Sequence, residues 1–290
     1  MTTFLKGMRV KHLTRPEWGL GQLLEDESSQ DIRVFFVNRG IVHLQYSARD
    51  KLCQVTGDQA ISIPLDHIML PPGDSSRPVL NLSEAKEDFL KRFPGGFSGK
   101  RLMDTERTFK EELMRIGSTL LGRQVLQSYI DAGDFQMVFD NASQFLSHQH
   151  NILPSPYEKM AFRDGIRNLP DSKRFAVALV DYLHGHGDLE PRFETLARVL
   201  ADMGADKWPV ITNFRFFLHP KTDVFIKPLN LQHASELCQF EINYKPQINW
   251  LTYHSTTVFY QYLSESIADL KPRDMVDVQS FIWCIDPTYS

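Results

Sequence analysis

The chain has 290 residues, of which 42% are hydrophobic and 23% are charged, a composition typical of a globular protein with one large or two medium domains. Its net charge of −4 argues against a protein that coats nucleic acid through a basic surface. The three cysteines are far apart, no apolar run approaches roughly 18 residues, and the N-terminus lacks a signal-peptide core, so we expect a cytoplasmic protein without a disulfide framework or membrane span.

The first 70 residues predict a small, strongly bent sheet. Gly19 and Gly21 bracket one residue at the start of a strand, which suits a corner where a Cβ would clash or φ must be positive. Gly40 closes a predicted hairpin loop, residues 38–40. The predicted strands are residues 7–12, 18–24, 32–37, 41–46 and 60–65, followed by a turn of helix at 66–70.

This order of residues resembles the bacterial Tudor-like barrels. Such barrels occur at the C-terminus of UvrD/PcrA helicases, in CarD-type regulators and transcription-repair coupling factors, and in a stand-alone family of unknown function. The resemblance implies an SH3-like or Tudor-like β-barrel, and RNA polymerase as a candidate partner, because several of these barrels dock on it. The matching positions are Gly7, Val10, His12, Trp18, Gly19, Gly21, Val34, Phe36 and Gly40.

Small barrels leave sheet edges that a partner strand can join, and nearby side chains then select the partner. Residues 1–72 contain eight basic and eight acidic residues, so a protein partner is favoured, although a local basic face leaves nucleic acid open. Trp18 also fits a structural plug at the mouth of the barrel. The candidate partner-binding residues are Arg9, Lys11, Arg15, Trp18, Arg33, Arg39 and His43.

Residues 71–78 are dense in Pro, Gly and Ser and predict a linker. We therefore expect an α+β protein of two domains, with a barrel at 1–72, a linker at 73–80 and a mainly helical domain at 81–290. Beyond the linker the hydrophobic period becomes 3.6, as in amphipathic helices. The candidate N-caps are Ser83, Asp104, Asp134, Ser155, Asp171 and Asp188, and the stripe after Asp104 consists of Phe109, Leu113, Ile116 and Leu120.

Near residue 210 the hydrophobic pattern no longer distinguishes helix from strand. Residues 210–218 are apolar and fit either helix or strand, and residues 219–223 form a turn, so a small hairpin is left open. Helices resume at 229–240, 256–270 and 272–284.

Reactive chemistry has weak candidates. His184 and His186 flank a glycine near several carboxylates, but this pattern is common at a helix terminus. The acid–lysine pairs Glu106/Lys110 and Asp223/Lys227 resemble nuclease motifs, yet no second acidic residue on a strand accompanies either pair. Phosphate-binding loops, dinucleotide fingerprints and the Gly-x-Ser-x-Gly elbow do not occur. We therefore assign no catalytic residue, metal ligand or cofactor.

Aromatic residues crowd the C-terminal third. The favoured interpretation is an aromatic core, and the alternative is a groove in which bases or partner side chains stack. In that groove the candidate ligand-binding residues are Lys227, Tyr244, Asn249, Trp250 and Tyr253.

Three functions follow from these patterns. The favoured one is a non-enzymatic adaptor, whose barrel binds RNA polymerase or another transcription or DNA-repair complex while the helical domain adds a second surface. The alternative is a nucleic-acid-processing enzyme or defence-type effector, with a metal-dependent site in the C-terminal third. A weaker third is a structural protein that oligomerises through the apolar segment 275–285.

Overall fold

The computed structural model describes residues 3–28, 30–70, 80, 82–153 and 156–285. The described residues form two compact units, one within 1–88 and 233–242, and the other within 89–232 and 243–290. The fold is α+β, with a five-stranded antiparallel sheet near the N-terminus and a mainly helical region after it. The predicted linker lies outside the described residues apart from Leu80, and the domain boundary stays a prediction.

The sheet has hydrophobic side chains on both faces. Its strands are β1 Arg9–His12, β2 Leu20–Leu23, β3 Asp31–Phe36, β4 Gly40–Gln45 and β5 Leu52–Val55, in the order β4-β3-β2-β1-β5. Because side chains alternate along a strand, Val34 and Phe36 join the larger core with Val10. Phe35 faces the other way and packs with Leu65.

Each glycine of the predicted corner has one of the two expected roles. Gly19 has φ +76°, and Gly40, at the end of the hairpin loop, has φ +79°. At Gly21 the constraint is space, because a Cβ would lie 2.7 Å from two ring carbons of Phe36 and 2.9 Å from Val34. The corner therefore needs glycine for conformation at one position and for close packing at another.

A Gly21→Ala substitution is expected to lower the free energy of unfolding by about 1–3 kcal/mol, because the methyl group overpacks a buried ring. Urea unfolding of the full chain measures the loss, and Gln22→Ala on the same strand is the control. Equal stability of the two variants would contradict this packing.

The predicted strand at 60–65 is wrong. Residues 57–60 form a 3₁₀ turn and Ile63–Asp66 a short helix, α1, with Pro64 in its first turn, where a fixed φ and a missing N–H favour helix. The fifth strand is instead β5, which pairs with β1 and lies between residues 46 and 60, where we predicted no strand. The helical turn expected at 66–70 is also wrong beyond Asp66, since Ile68 forms a β-bridge.

Twelve further helices follow in the described part of the chain. They are α2 Leu82–Arg92, α3 Lys100–Leu102, α4 Thr108–Leu121, α5 Arg123–Ala132, α6 Phe135–Ser147, α7 Pro156–Gly165, α8 Ser172–His184, α9 Leu189–Asp202, α10 Trp208–Leu218, α11 Pro228–Leu237, α12 Trp250–Ser266 and α13 Met275–Ile285. A π-helical turn, Met103–Arg107, joins α3 to α4. Among the described residues, no helix combines the length and apolar character needed to cross a bilayer.

Three of the predicted N-caps hold that position. Asp134, Asp171 and Asp188 precede α6, α8 and α9, and the Asp171 carboxylate accepts a hydrogen bond from the Arg174 N–H at 3.3 Å. Ser155 lies outside the described residues.

Two predicted N-caps are wrong. Ser83 is inside α2, and Asp104 lies within the π-turn because the helix is already continuous from Lys100. On α4, Leu113 is buried as predicted, but the other fully buried residues include Lys110 and Gly117 rather than the rest of the predicted stripe. The buried face is rotated toward Gly117, where the backbone packs so closely against Leu218 that an added Cβ would lie 3.0 Å from that side chain.

The ambiguous segment near residue 210 is helical. Residues 208–218 form α10 and residues 224–227 have no regular secondary structure, so residues 208–228 form no hairpin. The apolar segment 275–285 is α13, and Val276, Val278 and Phe281 on it are fully buried within this chain. That burial contradicts an oligomerisation surface on the helix.

Candidate functional site

Strand β4 forms one edge of the sheet, and its outward backbone groups are identified by its pairing with β3. Tyr46 N–H donates to the Gln30 carbonyl at 3.2 Å, one step beyond the register pair of Asp31 and Gln45. Because alternate residues of an antiparallel strand direct their N–H and C=O toward the partner strand, every second residue of β4 points away from β3. The backbone groups of Ile41, His43 and Gln45 therefore point to the edge that has no neighbouring strand in the described residues.

Exposed side chains surround this edge. Arg39 is exposed in the hairpin loop, and the His43 side chain is 48% exposed with Nδ1 4.0 Å from the Asp31 carboxylate. Arg33 lies opposite His43 in the register, and its Nε is 3.6 Å from the Glu25 carboxylate. These three predicted residues are thus gathered at the β3–β4 edge.

The other predicted partner-binding residues do not join them. Arg9 is largely buried, is ion-paired with Asp66 and donates to the Ala60 carbonyl. The Trp18 ring packs against two other rings, with its centroid 4.8 Å from that of His12 and 5.2 Å from that of Phe36. This packing fits a structural plug. The remaining two residues, Lys11 and Arg15, are exposed.

Three of the five predicted groove residues meet at the start of α12. Asn249 is its N-cap and accepts a hydrogen bond from Thr252 N–H at 2.8 Å. The ring centroids of Trp250 and Tyr253 lie 5.5 Å apart, and both rings contact the Phe193 ring.

The other two groove residues are placed differently. Lys227 Nζ lies 4.4 Å from the ring centroid of Trp283. Tyr244 is half-buried, and burial raises the pKa of its hydroxyl. The structure thus supports helix capping and aromatic packing at the start of α12, with Lys227 packed on a different aromatic ring.

Asp223 belongs to a buried ion pair. Its side chain is 2% exposed and accepts two hydrogen bonds from Arg215, at 2.5 and 3.0 Å, a third from the Tyr253 hydroxyl at 2.7 Å and a fourth from the Thr222 hydroxyl at 2.8 Å. Burial and the neighbouring Tyr182 and Asp223 raise the pKa of Tyr253, which keeps its hydroxyl a donor. Arg215 also donates to the Tyr182 carbonyl at the end of α8, so the ion pair joins two helices.

A second buried network connects the π-turn to α13. Arg107 donates two hydrogen bonds of 2.7 Å to Asp274, one of 3.2 Å to Asp277 and one of 2.8 Å to Glu111. Burial acts to lower the pKa of Arg107, but the hydrogen bonds to Asp274 and Glu111 outweigh it and the pKa is raised. Arg273 adds a bidentate pair to Asp277, with contacts of 2.8 and 2.9 Å.

Lys110 extends this network into the core. Its ammonium donates to Glu106 and Gln279 at 3.2 Å and to Ser280 at 3.1 Å. Burial lowers the pKa of Lys110, and the Glu106 carboxylate acts in the opposite direction. Helical periodicity does not predict this network, although the polar residues 277, 279 and 280 in the otherwise apolar α13 are a signal for it.

The His184–His186 segment forms the C-terminus of α8. His184 Nε2 lies 2.7 Å from the Leu121 carbonyl, while Arg192 donates to the carbonyl of Gly185 at 2.8 Å and to that of Gly187 at 2.8 Å. Cationic side chains at this end stabilise the exposed carbonyls of the helix. Among the described residues, no group of three or more His, Cys, Asp or Glu side chains is placed to hold a metal ion.

Stability is expected to fall in mild acid, because burial lowers the pKa of His184, His219 and His12 below their ordinary value of 6.5. The unfolded chain then binds these protons at a higher pH than the folded chain, so lowering the pH through the ordinary value favours unfolding. Urea unfolding at about pH 7.5 and about pH 5.5 measures the effect above the range where carboxylates titrate. His184→Gln should reduce the difference, and equal stability at both pH values would contradict it.

A family model described as "Protein of unknown function (DUF3553)" matches residues 4–47, which contain β1 to β4. No curated protein and no solved structure matches the chain. The similarity therefore covers the β4 edge and carries no activity or partner with it.

Proposed function

We propose that the chain is a cytoplasmic, non-enzymatic adaptor that binds a protein partner along the β4 edge. The observation that carries this proposal is the outward-facing backbone of Ile41, His43 and Gln45 on an edge strand. A partner strand added there gains main-chain hydrogen bonds, and the side chains beside the edge select among partners. Arg33, Arg39 and His43 are the residues in position to do so.

We also assign the sheet to the SH3-like or Tudor-like barrels. Four consecutive antiparallel strands followed by a fifth that returns to pair with β1 support this assignment. Through the resemblance of this segment to Tudor-like barrels, RNA polymerase is the first partner to test. The balanced charge of residues 1–72 supports a protein partner over bare nucleic acid.

The alternative, a metal-dependent nucleic-acid enzyme, receives less support. Asp223, its best-placed acidic residue, is buried in the ion pair with Arg215, and Lys227 contacts Trp283. A carboxylate that already accepts four hydrogen bonds is poorly placed to bind a metal ion.

Affinity capture tests the adaptor directly. The tagged full-length chain, captured from a nuclease-treated lysate of its source, is expected to retain a large protein complex, identified by mass spectrometry. Loss of every partner on nuclease treatment would contradict a protein-binding adaptor and favour the nucleic-acid alternative.

A further inference from the structure

The helical unit has a groove between α8 and α9 that none of the functions above uses. The groove encloses about 590 Å³, and Val177, Ala178 and Val199 form its apolar part. Val177, on α8, is 47% exposed. A concave surface with an apolar lining and a few polar groups is typical of a binding groove.

Cations line both walls of this groove. Lys173 and Arg174 stand on α8, and Arg198 stands on α9. The Arg174 guanidinium forms an ion pair with the Asp202 carboxylate, at an N–O distance of 2.5 Å. The Arg198 guanidinium donates a hydrogen bond to the Thr195 hydroxyl at 3.2 Å.

The lining carboxylates are placed differently. Asp171 is engaged as the N-cap of α8, and Asp181 lies near the other end of the same helix. The groove thus combines an apolar floor with basic side walls.

A second groove, between α5 and α8, continues the same surface. It encloses about 290 Å³ and shares Val177 and Asp181 with the first groove. It adds Arg123 to the lining and no further carboxylate. Across both grooves the lining has four Lys or Arg residues and two carboxylates, and one of the four cations, Arg174, is paired with Asp202 outside the lining. Val177 and Asp181 are common to both grooves.

We propose that this surface, the α5–α8–α9 face, binds an acidic amphipathic helix of a protein partner. Side chains on the apolar stripe of such a helix would cover Val177 and Val199, and carboxylates beside the stripe would pair with Lys173 and Arg198. The apolar floor makes a nucleic-acid backbone a poorer fit than a peptide with an apolar stripe. This surface is on the helical unit, so it is a binding site additional to the β4 edge.

The test uses three labelled peptides of about 18 residues, which span five helical turns. The first has leucines at helical spacing with glutamates beside them, the second has lysine in place of every glutamate, and the third is a scrambled form of the first. Fluorescence anisotropy at moderate salt is expected to show binding of the first peptide only. Equal binding of the scrambled peptide, binding of the lysine peptide alone, or no binding of the first would overturn the proposal.

Variants locate the binding site. Val177→Asp and Arg198→Glu are each expected to weaken binding by about tenfold or more, because the first places a charge in the apolar part of the groove and the second reverses the charge of a cation in its wall. Arg163→Glu on α7, which is exposed and outside both grooves, should leave binding unchanged. Circular dichroism confirms that each variant is folded, and unchanged affinity of both groove variants would overturn the assignment.

The outcome is independent of the β4 proposal. An oligonucleotide probe that competes with the acidic peptide would overturn the peptide assignment in favour of nucleic acid. A chain that captures its protein complex but binds no acidic peptide would retain the adaptor function and lose this second site.

Discussion

Replacing Arg107 by methionine is expected to lower the free energy of unfolding by about 3–5 kcal/mol, as is usual when one partner of a buried ion pair is removed. The side chains of Asp274 and Asp277 are 8% and 1% exposed, and Arg107 donates to both. Without the guanidinium, Asp274 loses its bidentate partner, and Asp277 keeps only Arg273. Urea unfolding of the full chain measures this loss.

Arg115→Met is the matched control for Arg107. Arg115 pairs with Glu112 at an N–O distance of 2.6 Å, but its side chain is 68% exposed, and solvent-exposed pairs of that kind contribute little to stability. Arg107→Lys should recover only part of the stability, because a single ammonium cannot reproduce the bidentate contact. Similar losses for Arg107→Met and Arg115→Met would contradict a buried network at the π-turn.

Replacing Asp223 by alanine is expected to cost about 3–5 kcal/mol as well, because it leaves Arg215 without its carboxylate and Tyr253 without its acceptor. Asp223→Asn should cost less, since one oxygen remains to accept hydrogen bonds. Asp131→Ala on the surface of α5 serves as the control and should change stability by less than about 0.5 kcal/mol. A folded Asp223→Ala variant of normal stability would contradict the structural role.

This result decides how the enzyme alternative can be tested. Loss of an activity in Asp223→Ala would report unfolding as readily as catalysis, so it cannot identify a catalytic carboxylate. Lys227→Ala is the better probe, because it removes one cation–π contact, worth about 0.5–1 kcal/mol, and leaves the buried ion pair intact.

The features of the sheet that depend on local sterics were predicted from the sequence. Positive φ at Gly19 and Gly40 follows from the conformational freedom of glycine next to β-branched and aromatic strands. The strand at 52–55 was not predicted because its apolar residues do not alternate with polar ones. Only its pairing with β1 defines it as a strand. The short helix at 63–66 was missed because Pro64 is compatible with both an edge strand and a first helical turn.

The buried networks could not be predicted from helical periodicity alone. A lysine on an amphipathic helix is normally predicted to face solvent. Lys110 is instead buried on α4, because Gln279 and Ser280, 169 and 170 residues away, supply hydrogen-bond acceptors for its ammonium group. Asp223 reads as half of an acid–lysine pair at a spacing of four, but its actual partner is Arg215 in the preceding helix. In both cases tertiary contacts determine the role of the side chain, and these contacts leave no periodic pattern.

The β4 edge is tested most directly by capture with two variants of His43. The His43 N–H points away from β3, so His43→Pro removes a backbone donor at the free edge and leaves the β3–β4 ladder intact. His43→Ala removes the side chain and keeps that donor. Mass spectrometry is expected to show the complex reduced but still recovered with His43→Ala, which loses one of three selecting side chains, and lost with a folded His43→Pro, whereas equal recovery with both variants would contradict docking of a partner strand on β4.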